Sequence, residues 1–122
     1  MRAGISFAAS AIVLLFLAAA QGAEPEQVFS LSIENRKLAG DVKIIRVKQG
    51  DTVKINWTTD EPTEVHLHGY GMKKALTPGE TAPMVLKARA TGRFSIVSHG
   101  FGKSRGKHSE EIPLLYLEVH PR

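Results

Sequence analysis

After residue 27 apolar and polar side chains alternate with a period of two, not with the 3.6 of a helix. Phe29, Leu31 and Ile33 alternate with Ser30, Ser32 and Glu34, and Val53, Ile55 and Trp57 alternate with Lys54, Asn56 and Thr58. Such a period puts successive side chains on opposite faces of an extended strand, so each run predicts a strand with one face on a core. Val42 to Lys48 is a similar run, in which the adjacent Ile44 and Ile45 mark a bulge or a covered face. Thr63 to His68, Met84 to Ala88, Phe94 to Val97 and Leu114 to Val119 complete the set. Turn chemistry separates them at Gln49-Gly50-Asp51, Asp60-Glu61-Pro62, Thr77-Pro78-Gly79-Glu80 and Ala90-Thr91-Gly92. Gly100 to Ser109 reads as a loop, flexible through Gly100, Gly102 and Gly106 and basic through Lys103, Arg105 and Lys107. No segment carries an amphipathic-helix period, and none repeats. About seven short strands at roughly ten-residue spacing predict an all-β sandwich or barrel.

A different pattern precedes the strands. Met1-Arg2 is a positive start, Ile5 to Ala20 is an apolar run rich in Ala, Leu and Val, and polar Gln21, Gly22 and Glu24 follow. This order describes a secretory signal peptide. The alternative is a membrane anchor, for which the run is short against the roughly 20 apolar residues of a spanning helix. Small residues at −1 and −3 favour a cut after Ala20 or Gly22. The expected division is a signal peptide over residues 1–23 and one domain over 24–122, with no stable membrane span after cleavage.

Composition narrows the function. Hydrophobic residues make up 43% and charged residues 23%, as in an ordinary globular protein. Formal charge is +4 and falls by one when Arg2 is removed. That mild basicity lacks the concentrated Lys/Arg footprint of a nucleic-acid binder, so no nucleic-acid partner is expected. The chain has no cysteine. Disulfides, a lipid-modified Cys, a Cys nucleophile, Fe–S ligation and any thiolate ligand are therefore excluded.

The histidines carry the candidate chemistry. His66 and His68 flank Leu67, and on a strand positions i and i+2 share a face with Cα atoms about 6.6 Å apart, from a rise of about 3.3 Å per residue. Val65 and Leu67 then face the core. Met72 follows Gly69-Tyr70-Gly71, a segment short enough to fold its thioether back, while His99 and His108 flank the Gly-rich loop. Imidazole suits Cu, Zn, Ni and Fe, and a thioether beside it tilts the choice to copper, especially Cu(I). His66, His68, Met72, His99 and His108 are thus the candidate ligands of a copper ion, Cu(I) or Cu(II). His120 is expected in a bland C-terminal tail and Met84 in the core. Asp60, Glu61 and Glu64 are expected to cap a solvated turn, and Tyr70 and Trp57 to have no special role. Ser98 and His99 are strand neighbours that point apart, so they form no catalytic pair. No nucleophile elbow and no phosphate-cradling loop is present.

Gly50-Asp51-Thr52-Val53 running into Ile55-Asn56-Trp57 resembles a segment of the cupredoxins, small copper proteins. A His-bearing strand, the Pro78-Gly79-Glu80 turn, Gly92-Arg93-Phe94-Ser95-Ile96, a His-bearing loop and the closing Tyr116-Leu117-Glu118-Val119 follow in the same order, over about residues 27–120. The resemblance implies a cupredoxin-like Greek-key β-sandwich with a metal at one end and a periplasmic or secreted location. The mid-chain His of that family matches His66 or His68. Ser98 or His99 stands near the place of the family's Cys, and no Met lies between His99 and the C-terminus. A Ser hydroxyl cannot supply thiolate bonding, so a blue-copper centre is not expected. His66-Leu67-His68-Gly69 also looks like the H-x-H-G elements of multicopper oxidases, where the two histidines often serve different ions; here they need not share one.

Three function classes fit. The first is periplasmic copper handling without enzymatic activity, meaning storage, delivery or resistance, with another periplasmic protein as partner. The second is a metal-independent interaction module on the same fold, and the third a redox enzyme subunit. If His99 and His108 clamp one ion, binding is expected to order the 100–109 loop. Ligation needs neutral imidazole, so affinity is expected to fall between about pH 7 and pH 5.

Overall fold

The computed structural model describes residues 25–101 and 110–122, with Gly4 besides, and its strands follow the alternating pattern. They are β1 (Glu26–Glu34), β2 (Lys37–Leu38), β3 (Ile44–Lys48), β4 (Thr52–Thr59), β5 (Thr63–Leu67), β6 (Met72–Leu76), β7 (Ala82–Lys87), β8 (Gly92–His99) and β9 (Ile112–His120). No helix occurs among the described residues, and none there is long and apolar enough to cross a membrane. The expected signal peptide, His108 and the cations Lys103, Arg105 and Lys107 lie outside the described residues.

One sheet has the order β2-β1-β4-β7 and the other β3-β9-β8-β5-β6. The chain crosses between them from β2 to β3, β3 to β4, β4 to β5, β6 to β7 and β7 to β8. Such crossings leave β1 parallel to β4 and β3 parallel to β9, while the remaining pairs are antiparallel. Period-two burial explains why the sheets stack. Val53, Ile55 and Trp57 from one sheet meet Val65, Leu67, Ile96 and Leu117 from the other in a single core, and all seven are fully buried. The expected all-β sandwich is the observed fold.

Two strands exceed the expected seven. β2 is only two residues long, too short to show a period. β6, Met72-Lys73-Lys74-Ala75-Leu76, offers no alternating apolar run because it is the outer strand of its sheet, and lysines suit such an edge by repelling another strand.

The Gly50-Asp51 turn is more than a connector. The Asp51 carboxylate, 2% exposed, accepts from the Lys48 backbone N–H at 2.9 Å and pairs with the Arg122 guanidinium. Arg122 also donates through Nε to the Gln49 carbonyl at 2.9 Å, and the Ala88 N–H donates to the Asp51 carbonyl at 2.8 Å. One turn thus ties β3, β4, the end of β7 and the C-terminal residues together.

Candidate metal centre

The site is built on the β5–β6 hairpin. Val65 and Leu67 point into the core, which sends the intervening His66 to the outer face of the five-stranded sheet. His68 follows in the turn and is held by its backbone N–H, which donates to the Ser95 carbonyl at 3.0 Å. Gly69 comes next at φ +86, and a Cβ there would lie 2.4 Å from Phe94 Cδ1, so only glycine lets the turn lie this close to β8. Tyr70 packs edge-on against Phe94, with centroids 4.9 Å apart, and its hydroxyl donates to the Ala90 carbonyl at 2.9 Å. With the turn fixed at these points, the His66 and His68 rings lie 4.2 Å apart, tilted by 40°.

The β8–β9 pair brings further groups. His99 stands directly opposite Glu64, with its Nε2 3.4 Å from Glu64 Oε1, and presents its ring edge-on to His66 at 6.2 Å. Glu111, just ahead of β9, places Oε1 3.5 Å from His68 Nε2. Ligand atoms of His66, His68 and Glu111 all lie within 4.8 Å of one another. Donors about 2.0–2.2 Å from a zinc-sized divalent ion are at most about 4.4 Å apart, a separation close to the one these atoms have. Glu111 is 54% exposed, which leaves its carboxylate room to turn. Two imidazoles and a carboxylate therefore fit a divalent transition ion.

Burial lowers the His66 pKa from its ordinary value, and His68, Lys73 and His99 push it the same way against Glu111. Lys73 stands opposite His66 across the hairpin, which accounts for its share. A neutral His66 keeps a lone pair for a metal ion.

Of the expected ligands, His66, His68 and His99 come together on one face, with His99 turned to Glu64. Met72 does not join them. It pairs with Leu67 in the ladder and packs against the hydrophobic core, because the turn returns the chain with Met72 on the core side. His120 is engaged with Glu118 at 3.0 Å, and Met84 is buried in the core as expected. Ser98, opposite Val65, faces the core and shares a 2.6 Å hydrogen bond with Thr63. The 60–62 turn is held by the Thr59 hydroxyl, which donates to the Glu61 carbonyl at 2.7 Å; Asp60 and Glu61 reach instead to the 35–36 turn, the first accepting from the Asn35 N–H at 2.9 Å and the second pairing with Arg36 at 2.8 Å, while Glu64 faces His99. Two residues escaped the sequence reading. Tyr70 anchors the turn, and Glu111 supplies the carboxylate. The available signal for Glu111 was its place immediately before the last strand, whose partner β8 carries His99.

The cupredoxin-like domain family matches residues 7–107 of the chain. No curated protein sequence matches it. Among solved structures, a copper binding protein in the apo form is similar at 14% identity and a TM-score of 0.58, over 82% of this chain and 93% of that one. A blue copper oxidase from Nitrosomonas europaea is 23% identical with a TM-score of 0.59, over 80% of this chain and 39% of that one. Copper nitrite reductase from the same organism is 16% identical with a TM-score of 0.59, over 80% and 42%. The chain thus spans about two fifths of the length of these two enzymes. At such identities the likeness is one of fold.

Proposed function

Because the chain belongs to the cupredoxin-like domain family, we propose that it is a copper-binding protein of the exported compartment, serving storage, delivery or resistance rather than catalysis. The observation that carries this reading is that ligand atoms of His66 and His68, on the pinned β5–β6 hairpin, and of Glu111, ahead of β9, lie within 4.8 Å of one another. Imidazole is a good ligand for copper, and two on one rigid turn lower the ordering cost of binding. The exposed position supports exchange: His68 is 40% and Glu111 54% exposed, so an incoming or outgoing ion has direct access. Cargo that must be handed on requires such access. A partner receiving the ion would meet the outer face of the five-stranded sheet. The N-terminal apolar run supports export, with the periplasm as the expected destination.

Titration of the purified protein with Cu(II) against a competing chelator tests the reading. One ion per chain is expected, with His66→Ala and His68→Ala each weakening binding by about tenfold or more. Equal uptake by all three proteins would remove the site as drawn, whereas no uptake by any of them would favour the metal-independent interaction module.

A further inference from the structure

The donors that meet in the structure differ from those the sequence alone suggests, and the difference bears on oxidation state. Copper(I) is a soft monocation that prefers thiolate and thioether, whereas Cu(II) suits imidazole and oxygen donors in a tetragonal arrangement. The chain has no cysteine. Among the described residues Met84 is 2% exposed within the core, and Met72 packs against the core on the other side of the sheet from His66. Neither thioether faces the histidines. A carboxylate does: Glu111 Oε1 lies 3.5 Å from His68 Nε2, and a second carboxylate, Glu64, stands 3.4 Å from His99 Nε2 on the same face. Two anionic groups around three imidazoles favour a dication over a monocation, with Lys73 the opposing charge.

We infer that the site selects copper as Cu(II) and discriminates against Cu(I), with Glu111 as the third ligand and Met72 outside the ligand set. This rests on the copper-binding reading and adds the form of the cargo. Two imidazoles and one carboxylate hold Cu(I) less tightly than a thioether-rich acceptor does. A partner that takes the ion as Cu(I) would need softer ligands than this chain presents.

The test uses the processed protein purified after export, titrated aerobically with Cu(II) against glycine and anaerobically with Cu(I) against bathocuproine disulfonate. Electron paramagnetic resonance of the Cu(II) form reports nitrogen and oxygen donors. Expected results are a Cu(II) complex weakened about tenfold by Glu111→Gln, weak Cu(I) binding that E111Q leaves unchanged, and no effect of Met72→Leu on either state. Because Glu111 is half exposed and Leu matches Met in volume, both variants should fold; circular dichroism checks this. Cu(I) held as tightly as Cu(II), or lost on Met72→Leu, would overturn the inference while leaving copper binding intact. Cu(II) binding untouched by E111Q would also overturn it. Failure of the copper-binding reading looks different: neither oxidation state binds, or His66→Ala and His68→Ala bind as the parent does.

Discussion

Gly69 shows how much of the site depends on one missing Cβ. Its φ of +86 is costly for any side chain, and its Cα lies where a methyl would strike Phe94. Gly69→Ala is expected to destabilise the protein by about 2–4 kcal/mol, combining a positive-φ penalty with overpacking, as read by urea denaturation. Copper affinity should fall with it, since His68 is the preceding residue. Tyr70→Phe is the gentler probe. It removes the bond to the Ala90 carbonyl but keeps the ring on Phe94, costing about 1 kcal/mol in the same measurement. Glu61 tests electrostatics away from the site. Its hydrogen bond to Arg36 holds its carboxyl below the ordinary carboxylate range, with the Arg36 charge acting in the same sense against desolvation. A depressed folded-state pKa gives stability that is present at neutral pH and lost as pH falls through that lowered value. Thermal melts of Glu61→Gln should therefore show a shallower acid decline than the parent. As the pair is exposed, the difference at pH 7 should be small.

At the scale of elements, register decides which side chains meet. The His66–His68 spacing was legible because a strand's period places i and i+2 together, and Val65 and Leu67 named the core face. Met72 was not legible, since its side depends on how many residues the turn spends between β5 and β6. Glu111 was hidden for a related reason: it reaches His68 only because β9 returns beside β8, and nothing local records that return. β6 was missed because an edge strand rich in lysine carries little period. The same logic yields a prediction for Ser98. It stands opposite Val65 on the core side and bonds Thr63, so Ser98→Cys would place a thiol in the core and not beside the imidazoles. Cu(II) added to that variant should give no intense charge-transfer band in the visible spectrum. Appearance of a strong blue absorption would mean that strand β8 presents its other face to the metal.

Across the whole molecule, the alternation of apolar residues was enough to read a sandwich, but the ties that join its ends were not. Asp51 looked like ordinary turn chemistry; buried, it binds a residue at the far end of the chain. Arg122→Ala leaves its carboxylate with the Lys48 N–H and without its cation. With the guanidinium 49% exposed, solvent screening reduces the loss, and about 1–2 kcal/mol is expected from urea denaturation. Asp51→Ala should cost more, since it also removes the acceptor for the Lys48 amide.

The last strand is also a central one. β9 lies between β3 and β8, so the five-stranded sheet has no continuous ladder until the final residues are present. Pairing β3 with β9 closes a loop of more than half of the chain, and the entropy of that closure must be met before the contacts reward it. A polypeptide that stops short of Ile112 has an edge on β3, another on β8, and nothing to join them. Truncation before Ile112 is therefore expected to leave the five-stranded sheet in two unjoined parts, as read by loss of amide-exchange protection on β3.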